Sequence, residues 1–150
     1  MIPVASKRFN HQTAAHRESG VAAVEFALIL PFLLALLLGI MEIALMLYDQ
    51  AIITNASREA ARAGIVLRVP KLSAAQIEAV ALNYTQHALI SLGSSVVVPE
   101  VIVDQAAIPA FADPLGVTVK FSYSGFGLVG LITTLAGPVQ LSATTVMNHE

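Results

Sequence analysis

Residues 26–41 read FALILPFLLALLLGIM, a run of sixteen residues without a charged side chain. After Glu42 the chain continues as IALMLY to Tyr48. At about 1.5 Å per helical residue, residues 21–48 measure about 42 Å, which exceeds the hydrocarbon core of a bilayer, about 30 Å thick. We therefore predict one membrane-spanning helix over residues 21–48, with Glu25 and Glu42 near opposite interfaces.

This run has two other interpretations. A buried helix of a soluble protein usually keeps a polar stripe, which residues 26–41 lack. A secretory signal peptide has an apolar region of about 7–15 residues followed by a small-residue cleavage site. The run is longer than that, and residues 46–49 (MLYD) offer no such site. We expect the segment to remain in the protein as an anchor.

The charges flanking the run do not fix its orientation. The positive-inside rule counts basic residues within about 20 residues of a span. Three precede it and three follow it: Lys7, Arg8 and Arg17, then Arg58, Arg62 and Arg68.

Composition excludes several classes of protein. Apolar residues make up 56% of the chain and charged residues 12%, against about 45–50% and about 25% in typical soluble domains. This composition excludes intrinsic disorder and disfavours a soluble cytosolic domain. The net charge of −2 provides no broad basic surface for nucleic acid.

Residues that carry chemistry are scattered. The chain has no cysteine, which excludes disulfides and thiolate metal sites. The acidic residues form no pair that would serve as a catalytic dyad, and no phosphate-binding or dinucleotide fingerprint occurs. The four histidines lack metal-ligand spacing: His11, His16, His87 and His149. We predict no enzymatic activity, no cofactor, no metal and no small-molecule substrate.

Residues 17–26, RESGVAAVEF, form a junction in front of the helix. A short polar, basic leader ends at Gly20, and four uncharged residues, Glu25 and an aromatic residue follow. This pattern resembles the class III signal of type IV pilin-like proteins, which a prepilin peptidase cuts after the glycine on the cytoplasmic side. The resemblance implies a leader over residues 1–20, a scissile bond between Gly20 and Val21, and a cytoplasmic N-terminus. Glycine suits this position because it lets a protease approach the backbone.

Glu25 is a carboxylate at the edge of a hydrocarbon segment, where charge is costly and commonly functional. Cleavage would free the α-amine of Val21, whose ordinary pKa is about 8, one helical turn from Glu25. In a filament, Glu25 of one subunit can pair with the Val21 amine of its neighbour and fix the axial register. The alternative is a solvated glutamate stabilised by the dipole at a helix N-terminus.

Small residues recur every four positions after the apolar run, at Ala56, Ala60 and Gly64. Such a face lets another helix approach closely. We predict a single helix over about residues 22–66, ended by Val69-Pro70.

The stretch from Gly20 to Gly64 resembles the TadE-like family of pilus-assembly proteins. The resemblance rests on the junction, on LP and GIME segments in the helix, and on EAARAG at residues 59–64. The matching motif positions are Pro31, Gly39, Glu42, Glu59 and Arg62. The final LSATTVMNHE is similar to the family's usual ending, except that Asn148 stands where a basic residue is commoner.

The resemblance implies a pseudopilin-like fold and a minor pseudopilin of the tight-adherence (Flp) pilus system. Its partners would be the prepilin peptidase, other pilin-like subunits and the assembly machinery, at the inner membrane and in association with the pilus. The alternative is a signal-anchored envelope protein that acts as a binding module or chaperone.

Residues 49–150 predict an extracytoplasmic α+β domain. Ser73 and Gln76 form a capping box in front of a second helix over about residues 74–91, with Gly93 as its stop. Three strand-like runs follow, at residues 96–103, 117–123 and 139–144, the first marked as an edge strand by Pro99. We expect a small antiparallel sheet packed on the helices.

The apolar stretch Gly125–Gly137 is too short to span a bilayer. It is either a short helix under the sheet or an exposed patch that contacts the membrane or another subunit.

Overall fold

The computed structural model describes residues 12–66, 68–90, 98–125 and 127–149, with the side chains of all of these except 12–19, 128, 132, 133 and 136. The helices are α1 (Gln12–Ile65), α2 (Ala74–Thr85) and α3 (Leu128–Ala136), and the strands are β1 (Glu100–Asp104), β2 (Pro114–Tyr123) and β3 (Val139–Asn148). This arrangement confirms the predicted α+β class with a long apolar N-terminal helix, a second helix and a three-stranded antiparallel sheet.

Some predictions fall outside the described residues. These are the first eleven residues of the leader, the helix stop at Gly93, the first two residues of the strand predicted at 96–103, and Phe126 in the apolar stretch.

The chain divides into two compact units, residues 1–37 and residues 38–150. In the first unit, residues 12–37 belong to α1, and Pro31 lies inside the helix. The prediction that this helix begins near residue 22 was wrong, because α1 begins at Gln12. Residues 12–19, QTAAHRES, contain neither proline nor glycine and therefore present no helix breaker. The predicted helix end at residue 66 agrees with Ile65 to within one position.

In the second unit, β2 is the central strand of a sheet ordered β1-β2-β3, in which Val119 lies opposite Val101 and Ala143. Alternate residues of β2 are buried: Leu115, Val117, Val119, Phe121 and Tyr123. The alternation predicted from residue 117 to 123 is therefore confirmed. The first strand lies at an edge and begins directly after Pro99, where a missing N–H removes no internal ladder bond.

The buried face of the sheet shares a core with α1 and α2. Ile53, Ala56 and Ala60 of α1 and Ile77 and Ala81 of α2 are fully buried in this core. The other face is mostly polar, with Ile102 and Val146 as exposed apolar residues. There the hydroxyls of Thr118 and Thr144 lie 2.9 Å apart, and Lys120 Nζ lies 3.7 Å from Glu100 Oε2.

The N-terminus of α2 has the predicted capping box. The Ser73 amide donates to Gln76 Oε1 at 3.0 Å, and the Gln76 amide donates to Ser73 Oγ at 3.4 Å. The C-terminus differs, since α2 ends at Thr85 rather than near residue 91. Beyond this end, the chain is bonded to α1, because the Ile90 amide donates to Asp49 Oδ1 at 2.9 Å instead of to a helical carbonyl.

Candidate functional site

The predicted processing junction lies on an open part of α1. Gly20 is exposed, and a Cβ atom added to it would meet no atom within 4 Å. Val21 is 60% exposed, and Glu25 is also exposed. Among the described residues, Glu25 has no ion-pair partner. The described part of this chain therefore leaves both the predicted scissile bond and the carboxylate accessible to other molecules.

Apolar side chains surround α1 after this junction and are exposed. Val24, Phe26, Ile29, Phe32 and Leu36 are each at least 60% exposed. The helix from Gly20 onward is long and apolar enough to cross a membrane. One N-terminal helix is thus available as a single membrane anchor.

Glu42 lies in the second unit and is only 1% exposed. Its Oε2 atom accepts a hydrogen bond from the Val129 amide at 2.7 Å, in the first turn of α3. A carboxylate at this position satisfies an amide that has no partner inside the helix and interacts favourably with the helix dipole. Glu42, expected near a membrane interface, therefore also connects α1 to α3.

Two further polar groups are buried nearby. Asp49 is fully buried, and its Oδ2 atom has no hydrogen-bond partner among the described residues. The Tyr123 hydroxyl and Glu42 Oε1 are also buried and also lack a hydrogen-bond partner among the described residues. Burial raises the pKa of the Tyr123 phenol, and the negative charges of Glu42 and Asp49 raise it further. We call Glu42, Asp49 and Tyr123 the acidic cluster.

The sequence analysis missed this cluster, although a signal was present. Glu42 and Asp49 are seven residues apart, which places them on the same face of a helix as the buried Ile53 and Ala56. Within the described part of the chain, no group of three histidine, cysteine, aspartate or glutamate residues is placed to hold a metal ion.

The small residues of α1 face the interior of the second unit. Ala56 and Ala60 are fully buried. At Gly64, an added Cβ would overlap Leu115 of β2 and lie 2.7 Å from Ile77 Cδ1 of α2. The atoms that approach this position thus come from a strand and a helix of the same chain.

The other motif positions have different environments. Pro31, Glu59 and Arg62 are exposed, and Gly39 is half-buried. The last part of α1 is also bonded to β3, because Ser57 Oγ lies 2.8 Å from Thr145 Oγ1. Glu42 is thus the motif side chain, among these five described positions, that the fold buries.

Replacing Glu42 with alanine should loosen α3, because the Val129 amide loses its acceptor. A lost hydrogen bond to a charged group is worth about 1.5–3 kcal/mol, so amide hydrogen exchange in α3 should accelerate about tenfold or more. Glu42→Gln keeps an acceptor oxygen and should retain most of the protection. The control is Glu59→Ala, an exposed position on the same helix. Unchanged exchange in Glu42→Ala would show that the bond does not hold α3.

Comparison with known proteins gives one result. Residues 20–62 match the model of the family described as TadE-like protein, which is less than a third of the chain. No curated protein and no solved structure matches the chain significantly. The matched segment begins at Gly20 and contains Glu25, Glu42 and Arg62. The match confirms, over residues 20–62, the resemblance to the TadE-like family that the sequence motifs indicate.

Proposed function

We propose that this chain is a minor pseudopilin, a structural and assembly component of a tight-adherence (Flp) type IV pilus system. The TadE-like match carries the proposal, because it begins at Gly20, the residue after which a prepilin peptidase would cut. In this role the protein is a substrate of an enzyme and not itself an enzyme. In this proposal it has neither nucleic acid nor a small-molecule substrate as a partner.

Processing is the first step of the proposed function. The peptidase cuts between Gly20 and Val21 and removes the leader, residues 1–20. Access favours this step, since Val21 is exposed and the space around Gly20 is open. Because α1 includes this bond, the backbone must unwind locally before cleavage, and glycine lowers the cost of leaving the helix by about 1 kcal/mol relative to alanine.

Anchoring follows from the apolar part of α1. The cut side faces the cytoplasm, so residues 21–48 span the inner membrane and residues 49–150 form the domain on its extracytoplasmic side. The exposed apolar side chains around the helix support this arrangement, since lipid offers them an environment that water does not.

Assembly depends on Glu25 in this proposal. The new amine at Val21 is mostly cationic at neutral pH. In a bundle of pilin-like helices, pairing with Glu25 of a neighbour neutralises two charges that would otherwise be isolated in an apolar environment. The exposed position of Glu25 supports this role, because the carboxylate is accessible to a second subunit.

The test compares Glu25→Ala with Glu78→Ala in cells that produce the pilus machinery. Both glutamates are exposed, and Glu78 lies on α2. We expect Glu25→Ala to reach the membrane fraction in normal amounts but to co-purify with several-fold fewer pilin-like subunits, as counted by mass spectrometry. Glu78→Ala should behave like the unmodified chain. Equal recovery of subunits with Glu25→Ala would contradict the pairing and favour a binding module or chaperone that works alone.

A further inference from the structure

Helix α3 exposes a leucine face that the rest of the described chain does not cover. Leu131 is 60% exposed and Leu135 is 83% exposed, and they lie four residues apart on one side of the helix. Val129, in contrast, packs against the core. Residues 128–136 contain no charged side chain. We call Leu131 and Leu135 the leucine face.

The position of α3 along α1 is fixed by the hydrogen bond from the Val129 amide to Glu42. Glu42 directly follows Met41, the last residue of the uncharged run. The first turn of α3 therefore lies at the level of α1 where the run ends. In a chain anchored by that run, this level corresponds to the boundary between acyl chains and headgroups.

The outer surface of α1 remains apolar for about two helical turns beyond Glu42. Beyond Glu42, α1 still exposes Ile43, Leu47 and Tyr48, which are 55%, 66% and 45% exposed. Tyrosine is enriched at membrane–water interfaces. Exposed charges on this helix return at Arg58. The apolar outer surface of α1 thus continues past the level of Glu42, and no exposed charge on α1 lies at that level.

The one polar side chain of α3 that the structure describes, Thr134, does not oppose contact with lipid. The Thr134 hydroxyl donates to the Leu131 carbonyl at 2.7 Å, so it is satisfied inside the helix. Glu42 is covered by the fold, and its charge is not presented to the surroundings. With nine residues, α3 is about 14 Å long and too short to cross a bilayer.

From these observations we infer that α3 is an interfacial helix, whose leucine face inserts into the membrane that α1 spans. This inference rests on the anchoring step of the proposed function but not on processing or assembly. It places the second unit against the bilayer at two points, α1 and α3. The side chains that contact lipid at the second point are Leu131 and Leu135.

The test uses tryptophan, which the natural chain lacks, so each introduced indole is the sole tryptophan signal. Leu131→Trp and Leu135→Trp probe the leucine face. Val146→Trp is the matched control, since Val146 is 63% exposed and lies on the face of the sheet that does not pack on the helices. Phe32→Trp reports on the anchor itself. Each full-length variant is reconstituted into lipid vesicles at a low protein-to-lipid ratio, with and without brominated acyl chains.

We expect bromine near the glycerol backbone to quench the indoles at positions 131 and 135 at least twofold more than the indole at position 146. Bromine near the ends of the acyl chains should quench position 32 most strongly. If positions 131 and 135 are quenched no more than position 146 while position 32 is quenched, the interfacial helix is disproved and the anchor stands.

Two other outcomes are equally informative. If position 32 is not quenched, the anchoring step itself fails. If the indoles at 131 and 135 shift their emission only as protein density in the membrane rises, without quenching by bromine, a second subunit covers the leucine face and the lipid assignment is wrong.

Discussion

Gly20→Leu should leave the chain at its full length in cells whose prepilin peptidase is active. Leucine adds a branched side chain at the scissile bond and stabilises the helix through that bond relative to glycine, by somewhat less than the roughly 0.8–1.0 kcal/mol that separates alanine from glycine. Both effects oppose the extended backbone that a protease needs. The fold should tolerate the change, since a Cβ at this position would meet nothing within 4 Å. An immunoblot should show one unshifted band, and N-terminal sequencing should find the leader still attached.

The matched control is Ala23→Leu, which adds the same side chain to an exposed position three residues beyond the cut. This variant should still be trimmed, and its mature form should begin at Val21. Because both variants alter α1 in the same exposed region, a difference between them reports recognition by the peptidase and not insertion of the helix. Recovery of a chain starting at Val21 from Gly20→Leu would show that the assigned junction is incorrect.

Gly64→Leu should severely destabilise the second unit. The Cβ atom alone would overlap Leu115 and lie 2.7 Å from Ile77 Cδ1, and both of these residues are fully buried. Overpacking a core costs about 1–3 kcal/mol and occasionally more, against a total stability of about 5–15 kcal/mol for a typical domain. The remaining atoms of leucine have no space to enter. Thermal unfolding in detergent should occur well below that of the natural chain.

Gly64→Ala separates the effect of the Cβ atom from the effect of the remaining leucine atoms. Alanine improves helix propensity by about 1 kcal/mol but still introduces the overlapping Cβ, so its loss of stability should be smaller than that of leucine. Ala51→Leu, at an exposed position of the same helix, should melt like the natural chain. An unchanged melting temperature for Gly64→Leu would mean that the close approach at residue 64 is not required for the fold.

Local patterns explain which elements could be predicted from the sequence. The alternation along β2 has a period of two residues, which specifies a half-buried strand without knowledge of its partners. The capping box of α2 is likewise contained in four residues. The apolar stretch combines parts of both alternatives, since residues 128–136 form a short helix, as in the first, and Leu131 and Leu135 are exposed, as in the second.

Long-range contacts explain the rest. Nothing in the residues around position 42 reveals that Val129 will supply an amide to Glu42, because the two are separated by most of the chain. The end of α2 involves the same kind of contact, since Ile90 is bonded to Asp49. The processing bond and the role of Glu25 remain predictions, because both depend on other proteins.

The bonds that α1 makes to the second unit limit how far the chain can be shortened from its N-terminus. A truncated protein that begins at Asp49, after the predicted membrane segment, would lack Glu42 and leave the Val129 amide without its acceptor. It would also start its first helix at a fully buried residue. Beginning at Leu38, where the compact unit starts, retains the bond from Val129 to Glu42, keeps Asp49 inside the helix and omits most of the apolar run. The end of the predicted membrane segment, residue 48, thus lies beyond the start of the compact unit, residue 38, so removing the whole predicted segment also removes part of that unit.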